Sequence, residues 1–283
     1  MQTNRSAPSG LVAPASRPAG SLNQLALRLF SVLALLSYLL VFWTLLGAGT
    51  FPGKPGGPVA VLVITTLFAT TAALTRHLPG QNVALAAVII GFIGGLMHGV
   101  GAATAMPFGP FSFTDNAGPR FFDTLAWAMP ALWIIVILNA RGVARLILRP
   151  WRKLRNYGFW LIGLTAALTV LFDVALEPFA ARVKHFWLWQ PTKLPFSWYG
   201  APVVNFLGWL LTALLILAFA TPALITKQQR QKSVPDYHPL VMWLLLLTLF
   251  AAGDITQQLW PAAGFCVLTG IVTAAFALRG ARW

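Results

Sequence analysis

The stretch YGFWLIGLTAALTVLFDVALEP, residues 157–178, carries no charge until Asp173 and Glu177, then meets Pro178. A helix needs about 20 apolar residues to cross the hydrocarbon core of a bilayer, and this run is that long. Seven other apolar runs recur along the chain, at 25–46, 59–74, 83–104, 121–140, 201–225, 239–253 and 255–278. The chain is 58% hydrophobic and only 9% charged, and its mean hydropathy is +0.73. That composition excludes a water-soluble domain and predicts an all-α, polytopic integral membrane bundle of about eight transmembrane helices. Residues 1–24, rich in Ser, Pro, Ala and Gly, are expected to form a flexible tail. Residues 25–283 then make one transmembrane helical domain. The first apolar run is long for a signal peptide and is read as a retained helix.

The net charge of +14 could suggest a nucleic-acid partner, but its distribution follows topology. With eight helices and the N-terminus in the cytoplasm, fifteen of the twenty Lys and Arg residues fall on the cytoplasmic side. This positive-inside pattern places both termini in the cytoplasm. The expected location is the bacterial cytoplasmic membrane, with the lipid bilayer as partner and no nucleic acid. Cys266 is a lone cysteine, so neither an intramolecular disulfide nor a Cys-based metal site is expected.

Only six carboxylates occur in 283 residues, and two of them stand four apart at the end of the quoted stretch. Acids are costly in hydrocarbon, so an intramembrane pair is a functional-site candidate. Residues i and i+4 share a helix face. An apolar setting, like-charge repulsion and the negative end of the helix dipole all disfavour double ionisation. At least one of Asp173 and Glu177 is therefore expected to keep its proton near neutral pH, as a general acid would. Pro178 biases Glu177 out of the helical region, which would swing its side chain away from Asp173.

The predicted topology gathers other polar residues on the same side: His98, Asp115, Asp123, Asn205 and Asp254. His98 sits among glycines that let helices approach closely; it reads as a buried, hydrogen-bonded ring or as a catalytic one. No second His stands at ligand spacing, so no metal is expected. The connections 105–120 and 178–200 on that side are aromatic and rich in Pro and Gly. They read either as caps that re-enter the bundle or as an aromatic belt at the interface. Trp187, Trp189, Trp198, Tyr199 and Trp209 could present π faces to a cation or to a long planar hydrocarbon.

The order Asp173-x-x-x-Glu177-Pro178, Trp187-x-Trp189, then Tyr199-Gly200-x-Pro202-x-x-Asn205-Phe206-x-Gly208-Trp209 resembles the membrane carotenoid-biosynthesis proteins that include the carotenoid 1′,2′-hydratases. A Pro107-Phe108-Gly109 turn, Phe111-x-Phe113-Thr114 and Pro130-x-x-Trp133 resemble that family's other signature. The resemblance covers roughly residues 90–215. It implies addition of water to the terminal isopropylidene double bond of an acyclic carotenoid, giving a tertiary alcohol without a cofactor. It carries acid positions to Glu177 and, one turn earlier, Asp173. Together with the residues gathered above, the expected catalytic set is Asp173, Glu177 and His98, and the expected substrate contacts are Asp115, Asp123, Trp187, Trp189, Trp198, Tyr199, Asn205 and Trp209. The chain departs from the family pattern at His98, where Glu is common, and at Phe111 and Phe113, where Tyr is common. The alternatives are a membrane binder or transporter of isoprenoids or lipids, and a prenyltransferase, which would need cations and a second acid cluster beside the pair.

Overall fold

The computed structural model describes residues 20–47, 56–192, 196–225 and 234–283. Among them are eight helices long and apolar enough to cross a membrane: α1 (Gly20–Leu45), α2 (Gly57–Leu74), α3 (Gly80–Thr104), α4 (Ala128–Ile147), α5 (Tyr157–Pro178), α6 (Val203–Ala220), α7 (His238–Thr256) and α8 (Trp260–Ala281). Proline stands in the first turn of α2, α7 and α8, where its missing N–H costs nothing. α1 begins at Gly20 and takes in residues 20–24; the rest of the expected tail, residues 1–19, lies outside the described residues.

The bundle is organised around α4, which packs against α2, α3, α5, α7 and α8. Helices inside such a bundle must satisfy hydroxyls locally, because the bilayer offers no water. Thr165 and Thr169 on α5 do so by donating to the carbonyls of Leu161 (2.6 Å) and Thr165 (2.9 Å). We call the end where α5 finishes the acid end and the opposite one, where α4 finishes, the basic end.

Two of the differences from the sequence reading bear on the acid end. α4 starts at Ala128 rather than near residue 121. Residues 120–126 instead form a hairpin of β2 (Arg120–Phe121) and β3 (Leu125–Ala126), with Phe122 and Asp123 at positive φ in its loop. Hydropathy alone extends a helix through such apolar residues because it does not register the turn. The second difference is at Pro178. Helix α5 does not stop there but runs into a π-helical turn, Phe179–Val183, where the Lys184 amide bonds to Phe179 O at 2.9 Å.

That continuation has a local cause. Proline has no N–H, so the carbonyl one turn back, Val174 O, loses its helical donor. The Trp198 indole N–H replaces it at 2.9 Å. Trp198 sits on β5 (Ser197–Trp198), which pairs with β6 (Ala201–Pro202). The two-residue loop between them, Tyr199-Gly200, has φ of 52° and 105°, as a right-twisting hairpin requires.

Candidate active site

The two aromatic connections meet at the acid end. Phe111–Phe113 (β1) pairs antiparallel with Trp187–Trp189 (β4), in the register Phe111↔Trp189 and Phe113↔Trp187. Side chains alternate along a strand, so Ser112 and Leu188 face outward while Phe111, Phe113 and Trp187 are buried and Trp189 is half-buried. The ribbon therefore caps the bundle, as one of the two sequence readings has it, and aims two indoles at α5.

Their target is Glu177. Trp187 Nε1 and Trp189 Nε1 both donate to Glu177 Oε2, at 3.1 and 2.9 Å. The Asn205 amide on α6 donates to Glu177 Oε1 at 3.1 Å and to Asp173 Oδ2 at 2.8 Å. One amide thus bridges both acids, using both of its hydrogens. Because α5 continues through Pro178, Glu177 stays on the face of Asp173 instead of swinging away. Asp173 is fully buried and its Oδ1 has no hydrogen-bond partner among the described residues. The ion pairs among the described residues all lie elsewhere, so no cation accompanies the two acids. Nor do those residues include three His, Cys, Asp or Glu side chains grouped to hold a metal ion.

Beside Glu177 lies a small cavity of about 10 Å³, lined by His98, Phe111, Phe113, Met129, Glu177, Trp187, Trp189, Asn205 and Trp209. That is room for about one water molecule. Asp173, bonded to Asn205, does not line it. The His98 ring is wedged among aromatics, with centroids 4.2 Å from Phe108 and 5.5 Å from Trp209. Trp133 Nε1 donates to His98 Nδ1 at 3.0 Å. An indole N–H can only donate, so protonating Nδ1 would set two N–H groups against each other. Phe108 reaches this position between α3 and α6 because Gly101 and Gly208 leave it space. A Cβ on either would come within 2.6 Å and 2.7 Å of its ring.

A second cavity, of about 740 Å³, lies between the acid-end halves of α2, α4, α5 and α7. Its walls are apolar and include Leu62, Leu132, Ile135, Phe172, Leu176 and Phe250; Asp115, Asn116, Arg120 and Asp123 stand at its rim. Phe113, Met129 and Trp187 line both cavities and form the partition between them.

The predicted residues therefore separate into groups. Asp173, Glu177, His98, Trp187, Trp189, Asn205 and Trp209 converge. Asp115 and Asp123 do not join them; both are exposed on the loops before α4, and Asp115 pairs with Arg120 at 2.9 Å. Trp198 and Tyr199 are not at the site either. Trp198 serves the α5 backbone, and Tyr199 is a hairpin-turn residue whose carbonyl accepts from Arg182 Nε at 3.1 Å. Asp254 is buried on α7, its Oδ2 3.9 Å from Cys266 Sγ. Sequence reasoning left Trp133, Phe108 and Met129 out of the site, although the Pro130-x-x-Trp133 and Pro107-Phe108-Gly109 motifs contained two of them.

A bisanhydrobacterioruberin hydratase from Haloarcula japonica is 28% identical over 113 residues, which cover 40% of this chain and 36% of that protein. The match thus spans little more than a third of the relative's length. No solved structure matches the chain. Residues 56–273, most of the chain, match the family described as carotenoid biosynthesis protein. The chain belongs to the carotenoid biosynthesis protein family.

Proposed function

We propose that this membrane protein hydrates the terminal isopropylidene double bond of an acyclic carotenoid, with Glu177 of the acid pair as the proton source. The observation that carries the reading is Glu177: a carboxyl facing a water-sized cavity, with three N–H donors already aimed at its oxygens. Proton transfer from Glu177 to the less substituted alkene carbon forms a C–H bond and leaves a tertiary cation. It also leaves a carboxylate that Trp187, Trp189 and Asn205 hold without reorganisation, the condition under which fixed dipoles accelerate a reaction. The indole faces beside the cation stabilise it further. Water in the small cavity adds to the cation, and the surplus proton returns to the Glu177 carboxylate. The sum is one water added, with no change in oxidation level, so the reaction requires no redox cofactor.

In this scheme Glu177 is the catalytic residue and Asp173 a positioning residue that acts through Asn205. His98 takes a different part from the base suggested by sequence. With Nδ1 occupied by Trp133, it orients the water rather than accepting its proton. We also infer, from the charge asymmetry along the chain, that both termini face the cytoplasm of a bacterial cell and that the acid end faces away from it.

The test is pigment analysis in a bacterium that accumulates an acyclic carotenoid. Expression of the chain should yield a more polar pigment heavier by one water. The Asp173→Asn/Glu177→Gln double variant, present in the membrane at equal level, should yield none. A hydrated pigment made equally by both would refute the proposal.

A further inference from the structure

We propose that the larger cavity is the chamber for one terminal segment of a linear polyene, and that the enzyme therefore treats the two ends of its substrate in separate encounters. The chamber follows from shape and chemistry. Its apolar walls would bury hydrocarbon, its charged side chains stand at the rim, and Thr66 adds one hydroxyl at the inner end. A pocket of about 740 Å³ is of the size that encloses a small ligand or part of a long one. The family acts in carotenoid biosynthesis, and a conjugated polyene is the linear, flat hydrocarbon such a slot would accept.

Depth decides how much of that ligand enters. The innermost lining residues are Thr66 on α2, Ile135 on α4, Phe172 on α5 and Leu246 on α7. Thr66 and Ile135 stand nine and seven residues from the first residues of their helices, Gly57 and Ala128. At about 1.5 Å per residue the chamber reaches about 10–14 Å below the helix ends. The hydrocarbon core is about 30 Å thick, and an acyclic carotenoid is at least that long. The chamber thus ends near mid-membrane and holds one end of the polyene while the remainder stays outside. Nearer the acid end, the side wall is the partition: Trp187, whose N–H is bonded to Glu177, with Phe113 and Met129 beside it. Met129 is the flexible member of this partition, and its displacement would open the chamber to the acid for a terminal alkene held level with it.

The chamber does not depend on the chemistry of hydration; the end-by-end sequence rests on the hydratase reading. The test separates them. Purified protein in detergent is titrated with a symmetric acyclic carotenoid, with quenching of tryptophan emission reporting occupancy and chromatography reporting products over time. Wild type should bind, and the mono-hydrated compound should appear free in solution before the di-hydrated one. Leu132→Trp and Val63→Phe, which fill the chamber from two different helices, should each weaken binding at least tenfold while eluting as folded protein. Glu177→Gln should bind like wild type and hydrate nothing. Undiminished binding by a folded filled variant would overturn the chamber. Di-hydrated product released without free mono-hydrated compound would overturn the end-by-end sequence. Binding by wild type with no product at all would leave the chamber standing and refute hydration.

Discussion

Glu177 and Asp236 are two carboxyls at opposite ends of the same bundle, each receiving three polar contacts, and they differ in the charge of what surrounds them. Asp236 at the basic end meets Arg76 Nη2 at 2.7 Å, His77 Nε2 at 3.0 Å and the His238 amide at 3.1 Å. Burial alone would raise this carboxyl, but the His77 hydrogen bond and the Arg76 charge bring it down to about 2 from its ordinary 3.8. It is a permanently ionised clasp between the end of α2 and the start of α7. Glu177 has only neutral donors, two indoles and an amide, and a like-charged neighbour one turn away. A neutral donor shell can hold the anion when it forms without making it the sole stable form, which is what a group that gives and retakes a proton needs. In the proposed mechanism the same side-chain chemistry is structural at one end and reactive at the other through the choice of partner.

The contrast can be broken most directly by neutralising each carboxyl. Glu177→Gln preserves size and should lower hydration by about 10²–10⁴-fold, with the protein still folded and still binding polyene. Pigment yield at matched membrane levels reads this. Asn205→Leu removes the bridge between Asp173 and Glu177 and strands both acids without a shared donor. Hydration should fall, and the melting temperature in detergent should drop by an amount corresponding to about 1–3 kcal/mol. Trp198→Phe sharpens the distinction among the indoles. It should cost a similar 1–3 kcal/mol by orphaning Val174 O, yet leave kcat near wild type, whereas Trp189→Phe should lower kcat.

The smallest effect belongs to the clasp. Asp236→Asn should cost about 0.5–1 kcal/mol near neutral pH and leave hydration unchanged. Because the folded value of Asp236 lies below its ordinary one, its contribution is full above about pH 4 and fades as pH falls through about 2. Wild type and Asp236→Asn should therefore melt apart at neutral pH and converge in acid; a gap that stays constant down to pH 2 would contradict the clasp.

Much of this was legible in the sequence because a bilayer makes strong demands. Eight long apolar runs and scarce carboxylates were readable by length and composition, and the i, i+4 spacing put Asp173 beside Glu177. What escaped were features made by partners distant in sequence. The three-residue strands at Phe111 and Trp187 are too short to show a period, and their pairing is what brings the indoles to Glu177. A missing donor at Val174 is implied by Pro178, but nothing in the sequence says that Trp198 supplies it. Asp123 was misplaced because residues 121–127 are apolar enough to pass as a helix, although their backbone turns. His98 was found, but its tie to Trp133 and the role this leaves it required the packing of α3 against α4.

The central claim is that Glu177 gives its proton to carbon and recovers one from water. Hydration in deuterated water tests it. Wild type should place one non-exchangeable deuterium on the carbon next to the new carbinol, at a rate slowed relative to ordinary water, and Glu177→Gln should place none. Product whose carbon skeleton carries no deuterium, or equal labelling by Glu177→Gln, would contradict the account.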